Sequence, residues 1–354
     1  MSKSTIRVGV VGAGGNTRKH HIPKLQAQAG VEVVSVANRT KASGQKVAKE
    51  FGIANVSDDW TEVVNDPDLD AICIGTWPYM HAPITIAALE AGKHVLCEAR
   101  MALDSDEGQS MLDCSRDHPK QIAQIVPAPH TLALDQTIRE LIGEGYVGEI
   151  IQVDARINAG AGFPQWDAPV HWRHDRELSG NNVMNMGIWY EAMMRWMGPA
   201  ATVNAVGQNI VRHRKDSKGN RVTMTIPDHV DVMGRLEQGG QYRMNVSSVV
   251  GHADPADVMI FGTEGTLRVA AGTVGGSGLG LYGGKRRSKS LAAIRIPAKK
   301  IGGWRVEEEF INAIRGKEQI SHTDLATGVR YMQWTDAVTR SLRTAETVPL
   351  PLNI

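Results

Sequence analysis

The stretch Ile6-Arg7-Val8-Gly9-Val10-Val11-Gly12-Ala13-Gly14-Gly15-Asn16-Thr17-Arg18-Lys19 decides the fold. A β-branched run enters a glycine-rich turn, and residues from about 15 to 28 read as a helix leaving it. A strand, a turn needing positive φ and a helix N-terminus with unpaired N–H groups form a cradle for a pyrophosphate. Gly12 permits the tight turn and Gly14 lets the backbone approach the phosphates, with Gly15 and Asn16 completing the loop. Thr17 replaces the third glycine of the usual G-x-G-x-x-G. The bare motif is therefore imperfect, and its place in a strand–turn–helix carries the reading.

Outward from this stretch, residues 1–125 alternate strand and helix patterns. Apolar runs at 6–11, 31–37, 71–75, 94–97 and 121–126 predict buried parallel strands. Helical stretches near 41–51, 83–91 and 105–116 separate them, with Gly92 as a stop. This is the pattern of an α/β Rossmann domain with a doubly wound sheet, whose ligands sit at the carboxyl ends of the strands. From 126 to 354 the texture changes to an α+β domain with a mostly antiparallel, open sheet. Strand-like segments fall at 149–157, 202–213, 230–236, 242–250, 257–261 and 266–269. Helices are predicted near 132–143, 188–197, 306–314 and 324–342. The glycine-rich piece 272–284 reads as a flexible loop.

Bulk properties narrow the function classes. A chain of 354 residues exceeds one comfortable core, so two domains are expected. A net charge of +1 argues against a nucleic-acid partner held by bulk charge. The run Lys285-Arg286-Arg287-Ser288-Lys289 reads as a solvated loop. Cys73, Cys97 and Cys114 stand singly, without metal spacing, and predict buried free thiols in a reducing compartment. With no apolar leader segment and no run of 18 apolar residues, a cytoplasmic protein without membrane or metal is expected.

Three later features agree with a dinucleotide site. Asn38-Arg39 follows the second strand, where an acidic residue usually holds the adenosine ribose. Asparagine can still bond a ribose hydroxyl, while Arg39 suits adenine stacking or a 2′-phosphate. NAD is the first choice and NADP stays open. Thr76-Trp77-Pro78 with His81 ends another strand near the nicotinamide half, although His81 serves equally well as a helix cap. Glu98, directly after a buried strand, belongs at a cleft.

Together with Lys93-His94-Val95-Leu96-Cys97-Glu98, these motifs make the chain resemble the glucose–fructose oxidoreductase, inositol dehydrogenase and MocA family (Gfo/Idh/MocA). The resemblance continues through residues 143–151, Trp172-Arg173, 178–187, 264–267 and Val348-Pro349-Leu350. It implies NAD(P), mostly sugar or cyclitol substrates, and homodimers or homotetramers formed through the open sheet. The departures are specific. Where the family reads Glu-Lys-Pro, this chain has Glu98-Ala99-Arg100; where it reads Asp-x-x-x-His, the matching residues are Asn185 and Trp189. None of Ala99, Asn185 and Trp189 acts as a general acid or base near neutral pH.

Replacements are sought among polar residues near the family's cleft positions. His130, after Pro127-Ala128-Pro129, and the pair Tyr190-Glu191 are the candidates for proton transfer. Arg100 suits an anionic substrate group or a cofactor phosphate. His171-Trp172-Arg173-His174, together with Asn185, Trp189 and His130, are candidate substrate contacts. The leading function is an NAD(P)-dependent oxidoreductase acting on a secondary alcohol of a sugar or its derivative. The alternatives are an NAD-dependent redox-assisted glycosidase, using transient oxidation at C3 and elimination with an anionic or sulfonated sugar glycoside as a candidate substrate, and a non-catalytic nucleotide sensor.

Overall fold

The computed structural model describes residues 5–160, 162–181 and 185–353. Asn182, Val183 and Met184, inside the family-like stretch 178–187, lie outside the described residues. The chain divides into two compact units, Met1–Pro127 with Arg305–Met332, and Ala128–Trp304 with Gln333–Ile354. The expected boundary at 125/126 is two residues away. The assignment of everything beyond it to one domain is corrected, because 305–332 joins the nucleotide-binding unit.

In that unit six strands form one parallel sheet: β1 Ile6–Val11, β2 Val31–Ala37, β3 Asn55–Ser57, β4 Ala71–Ile74, β5 His94–Cys97 and β6 Ala123–Ile125. Their order, β3-β2-β1-β4-β5-β6, is the doubly wound order with its switch point between β1 and β4. Val8, Val10 and all of β4 are buried, as expected of strands covered on both faces. The helices between these strands are α1 Ile22–Gln26, α2 Lys41–Phe51, α3 Trp60–Val64, α4 His81–Glu90 and α5 Ser105–Asp117. Thr40 caps α2 and Asp104 caps α5 through side-chain oxygens that accept from Ser43 N and Glu107 N.

The helix leaving the glycine turn is not regular. Residues Thr17–His21 form a π turn, and the Ile22 N–H donates to Thr17 O, five residues back. Pro23 follows at the start of α1 and has no N–H to give. Thr17, His21 and Leu25, four residues apart in sequence, are all buried.

The second unit holds a nine-stranded sheet. Its strands in chain order are β7 Ile150–Asn158, β8 Thr202–Gln208, then a separate hairpin β9 His213–Lys215 and β10 Arg221–Thr223. They continue as β11 His229–Arg235, β12 Gln241–Ser247, β13 Ala256–Gly262, β14 Gly265–Ala271, β15 Leu279–Lys285, β16 Ala292–Ala293 and β17 Val348–Pro349. The sheet order is β16-β15-β14-β13-β7-β12-β11-β8-β17, antiparallel except between β12 and β7. Tyr242, Met244 and Val246 alternate inward along β12, while Arg243 points out and pairs with Asp154. Ile151, Val206 and Met233 are exposed on strands of this sheet.

Helices α6 Leu132–Gly143, α7 Arg176–Ser179 and α8 Met186–Met197 belong to the second unit, and α9 Val306–Ile314 to the first. The last helix, α10 Leu325–Thr344, contributes residues to both. Two expectations are corrected. Residues 272–284 are not all loop, because Leu279–Lys285 pairs fully with β14; ladder hydrogen bonds are backbone bonds and need no side chain. Among the thiols, Cys73 and Cys97 are buried, but Cys114 is only half-buried.

Candidate functional site

The nucleotide unit builds a cradle at the carboxyl ends of β1, β2, β4 and β5. Gly12 sits at φ +86, and a Cβ there would lie 2.5 Å from the Thr76 N. Gly75 is as constrained from the opposite side, since its Cβ would fall 1.9 Å from Thr17 Oγ1. Thr17 itself donates to Gly12 O, so it closes the turn where the family motif has a third glycine. Beside Gly15 the space is open, where a Cβ would meet nothing within 4 Å, while at Gly14 it would make only ordinary contact with Gly75 O at 3.7 Å. Thr76 adds a buried hydroxyl with no hydrogen-bond partner. An open glycine backbone beside an unsatisfied hydroxyl fits a dinucleotide.

The predicted neighbours of the cradle fall into two groups. Asn38 supports the loop itself, because its Oδ1 accepts from Ala13 N at 2.8 Å. Arg39 lies over the Trp77 ring, 5.6 Å from its centroid. Trp77 precedes the short turn Pro78–Met80. His81 is buried between two backbone carbonyls, with Nδ1 2.7 Å from Arg100 O and Nε2 3.1 Å from Thr76 O. It ties the Thr76 turn to the Ala99–Arg100 turn rather than capping α4 or reaching a ligand. Arg100 is itself buried, 4% exposed.

Glu98 is the charged centre of this unit. Asn16 Nδ2 donates to its Oε1 and the Ala99 N–H to its Oε2. His21 Nε2 also lies 2.9 Å from Oε1, while His21 Nδ1 lies 2.7 Å from Glu307 Oε1. Burial opposes charge on His21, but the hydrogen bonds to Glu307 and Glu98 outweigh it and raise its pKa to about 9. Burial likewise pushes the Glu98 carboxyl up, and bonds from His21 and Asn16 override it, holding Glu98 below the ordinary carboxylate value. A protonated imidazole thus bridges two carboxylates, and the outer one stays ionised at the end of β5. His21 and Glu307 were missed in the sequence. The signal available was the 17–21–25 spacing, which places a histidine on the buried face of a helix.

The second unit contains the substrate-side candidates. His130 stacks flat on Trp189, with ring centroids 4.4 Å apart and planes 6° from parallel. Burial, then the nearby Arg195 charge, lowers the His130 pKa to about 4, so its imidazole is neutral at physiological pH. Tyr190 and Glu191 are corrected as proton-transfer residues. Tyr190 is buried against Trp334, with centroids 4.1 Å apart, and its oxygen accepts from Ala200 N. Glu191 is buried and accepts from Arg195 and from Ala128 N.

The loop 171–176 is braced by its own side chains. His171 Nδ1 accepts from Arg173 N and His174 Nδ1 accepts from His171 N, a reciprocal cap on a short 3₁₀ turn. Arg173 lies over Trp172, 4.2 Å from its centroid. His171, Arg173, His174 and Asn185 line one cavity of about 210 Å³ with Arg214, Asp228, Met224 and Ile226. Asn185 starts α8 in the left-handed region, at φ 63, a conformation that asparagine tolerates better than most residues. Trp172 and Trp189 do not line this cavity. Among the described residues no cluster could hold a metal ion, and no helix is long and apolar enough to cross a membrane.

Comparison with known proteins agrees with this geometry. The family description "Oxidoreductase family, NAD-binding Rossmann fold" (GFO_IDH_MocA) matches residues 6–125, and the "GFO/IDH/MocA C-terminal domain" matches 136–268. The levoglucosan dehydrogenase of Pseudarthrobacter phenanthrenivorans is 25% identical over 295 residues, covering 74% of this chain and 73% of that one. The D-glucoside 3-dehydrogenase of Escherichia coli (strain K12) is 31% identical over 210 residues, 58% of each chain. A solved levoglucosan dehydrogenase in complex with NADH and levoglucosan shares the fold at TM-score 0.84 and 21% identity, over 98% of this chain and 100% of that one. The chain belongs to the Gfo/Idh/MocA family and is an NAD-dependent oxidoreductase.

Proposed function

We propose that this member of the family oxidises a secondary alcohol of a sugar or cyclitol, with His130 exchanging the hydroxyl proton in place of the missing family lysine. The observation that carries this reading is the flat stack of His130 on Trp189. Trp189 occupies the position of the family histidine, so the stack sets a different imidazole beside that position. Because burial and Arg195 keep His130 neutral, its ring has a lone pair to accept a proton at pH 7. NAD supplies the hydride acceptor when bound. Gly12, Gly14, Gly15, Asn16 and Thr17 cradle its phosphates, Arg39 and Trp77 hold the adenosine end, and ionised Glu98 accepts from the nicotinamide half. The printed activities of the relatives, on levoglucosan and on D-glucosides, support a pyranose-type substrate.

The test is incubation with NAD and a panel of sugars, cyclitols and sugar acids, following the absorbance of the reduced cofactor. His130→Asn is expected to lower kcat roughly 10²- to 10⁴-fold while binding of NADH, read by fluorescence, is retained. A wild-type kcat in that variant removes His130 from the role. Cleavage of an aryl glycoside that needs NAD yet leaves no reduced cofactor would move the protein to redox-neutral glycoside cleavage. NADH binding without turnover of any substrate would leave the nucleotide sensor. The same reading places the protein in the cytoplasm, where single thiols stay reduced. The exposed Ile151, Val206 and Met233 support a homodimer or homotetramer through the open sheet, measurable by light scattering.

A further inference from the structure

We infer that a second copy of this chain docks on the β15–β16 hairpin, its Asp58, Asp59 and Glu62 meeting Arg287, Lys289 and Arg295. This charged contact adds to the apolar one proposed above for the open sheet, and stands or falls apart from it. The net charge of +1 hides a segregation along the chain. Residues 285–300 carry seven Lys and Arg, and no Asp or Glu occurs from 265 to 306. Residues 50–92 are the reverse, with eight Asp and Glu and no Lys or Arg.

The structure sets both segments at sheet edges. β16, two residues long, ends the nine-stranded sheet, and the turn 286–291 leads into it. β3, three residues long, ends the parallel sheet, and Asp58 and Asp59 follow it directly. Some of these charges are already matched. Arg286 pairs with Glu264 and Lys300 with Glu140, while Lys285 lies over the Tyr146 ring. In the acidic segment Glu50 pairs with Arg18 and Asp68 with Arg7. The others are not. Arg287, Lys289 and Arg295 are exposed and enter no ion pair among the described residues. Asp58, Asp59 and Glu62 are equally exposed; Asp59 accepts from Thr61 and Glu62 from Ser57, neither from a cation.

Like charges keep each edge from pairing with its own copy, β16 with β16 or β3 with β3. Unlike edges attract. A two-fold axis would use the contact twice, each copy giving its hairpin to the other and receiving the other's. One exposed ion pair holds little, whereas several opposed charges acting together steer and hold a partner.

The experiment follows the mass of the full-length protein by light scattering. From about 0.05 M to about 1 M salt it should fall roughly two-fold, because screening reaches exposed charges and spares an apolar contact. Arg287→Glu/Lys289→Glu leaves both patches acidic, and Asp58→Lys/Glu62→Lys leaves both basic. Each variant alone should show the high-salt mass at low salt, and their equimolar mixture should regain the wild-type mass. NADH fluorescence titration shows that both variants are folded. A mass independent of salt, a variant that keeps the wild-type mass, or a mixture that stays small overturns the proposal. Binding of a single-stranded RNA probe at unchanged mass would give the hairpin to a polyanion instead, and overturns it as well. A salt-resistant dimer in the variants leaves the open-sheet reading intact; a salt-resistant monomer removes that reading alone.

Discussion

Each unit buries one cation between two carboxylates, and the two clusters do opposite work. In the nucleotide unit His21 bridges Glu98 and Glu307, with side chains 0%, 14% and 2% exposed. In the second unit Arg195 bridges Asp135 and Glu191, with side chains 9%, 8% and 2% exposed. The Arg195 cluster is closed. Its Nη1 donates to Asp135 at 2.6 Å, its Nη2 to Glu191 at 2.6 Å and to Ala128 O at 2.9 Å, and Trp196 Nε1 donates to the second Asp135 oxygen. A guanidinium does not titrate in the working range, so this cluster is permanent scaffolding. The His21 cluster has an exit, because Glu98 reaches the strand ends with part of its surface open. Its cation also titrates. Similar buried electrostatics thus serve fixed architecture in one unit and a responsive site in the other.

Breaking the arginine cluster should give the largest effect. Arg195→Leu strands two buried carboxylates and should cost roughly 3–5 kcal/mol of stability, read by urea denaturation. A loss below about 1 kcal/mol would mean that the cluster is not scaffolding.

The histidine cluster should instead show itself in pH dependence. Its folded pKa, about 9, lies above the unfolded value of 6.5, so its stabilisation is complete below pH 6.5 and is lost as pH rises through 9. Denaturation midpoints of the wild type should therefore fall between pH 7 and pH 10. The His21→Gln variant should lack that component, while Arg195→Leu should keep it. An identical alkaline profile in wild type and His21→Gln would dissolve the contrast.

Smaller still is Glu307→Gln, which keeps the shape and removes the inner charge. It should lower the His21 pKa and shift the alkaline midpoint of NADH binding downward, as fluorescence titration against pH would show. The least effect is expected from Asn16→Ala, which deletes one exposed bond to Glu98. Its cost should be about 0.5–1.5 kcal/mol of NADH affinity, without a change in the pH profile.

The two clusters were unequally legible in the sequence. The cradle could be read because strand–turn–helix chemistry is local: β1, the positive-φ Gly12 and Glu98 at a strand end follow from patterns a few residues long. The helices 132–143 and 306–314 were readable from their apolar periodicity. Glu191 was misread because a glutamate beside a vacated catalytic position resembles a replacement, whereas its partner Arg195 lies one turn on, the spacing of a helical ion pair. His21 and Glu307 went unread for a different reason: they are 286 residues apart, and no local pattern joins them. The 17–21–25 spacing could place His21 on a buried face, but it names no partner for the imidazole.

The return of residues 305–332 to the nucleotide unit bears on how the chain is made. A ribosome delivers residues 1–127 long before Glu307, and before Tyr331, whose hydroxyl accepts from the Met101 N–H. Until then the carboxylate that His21 Nδ1 meets in the finished unit has not been synthesised. The nucleotide unit therefore begins first yet is incomplete until residue 332, and an expression product cut near residue 300 would carry the glycine cradle without the charge that sets its pH response.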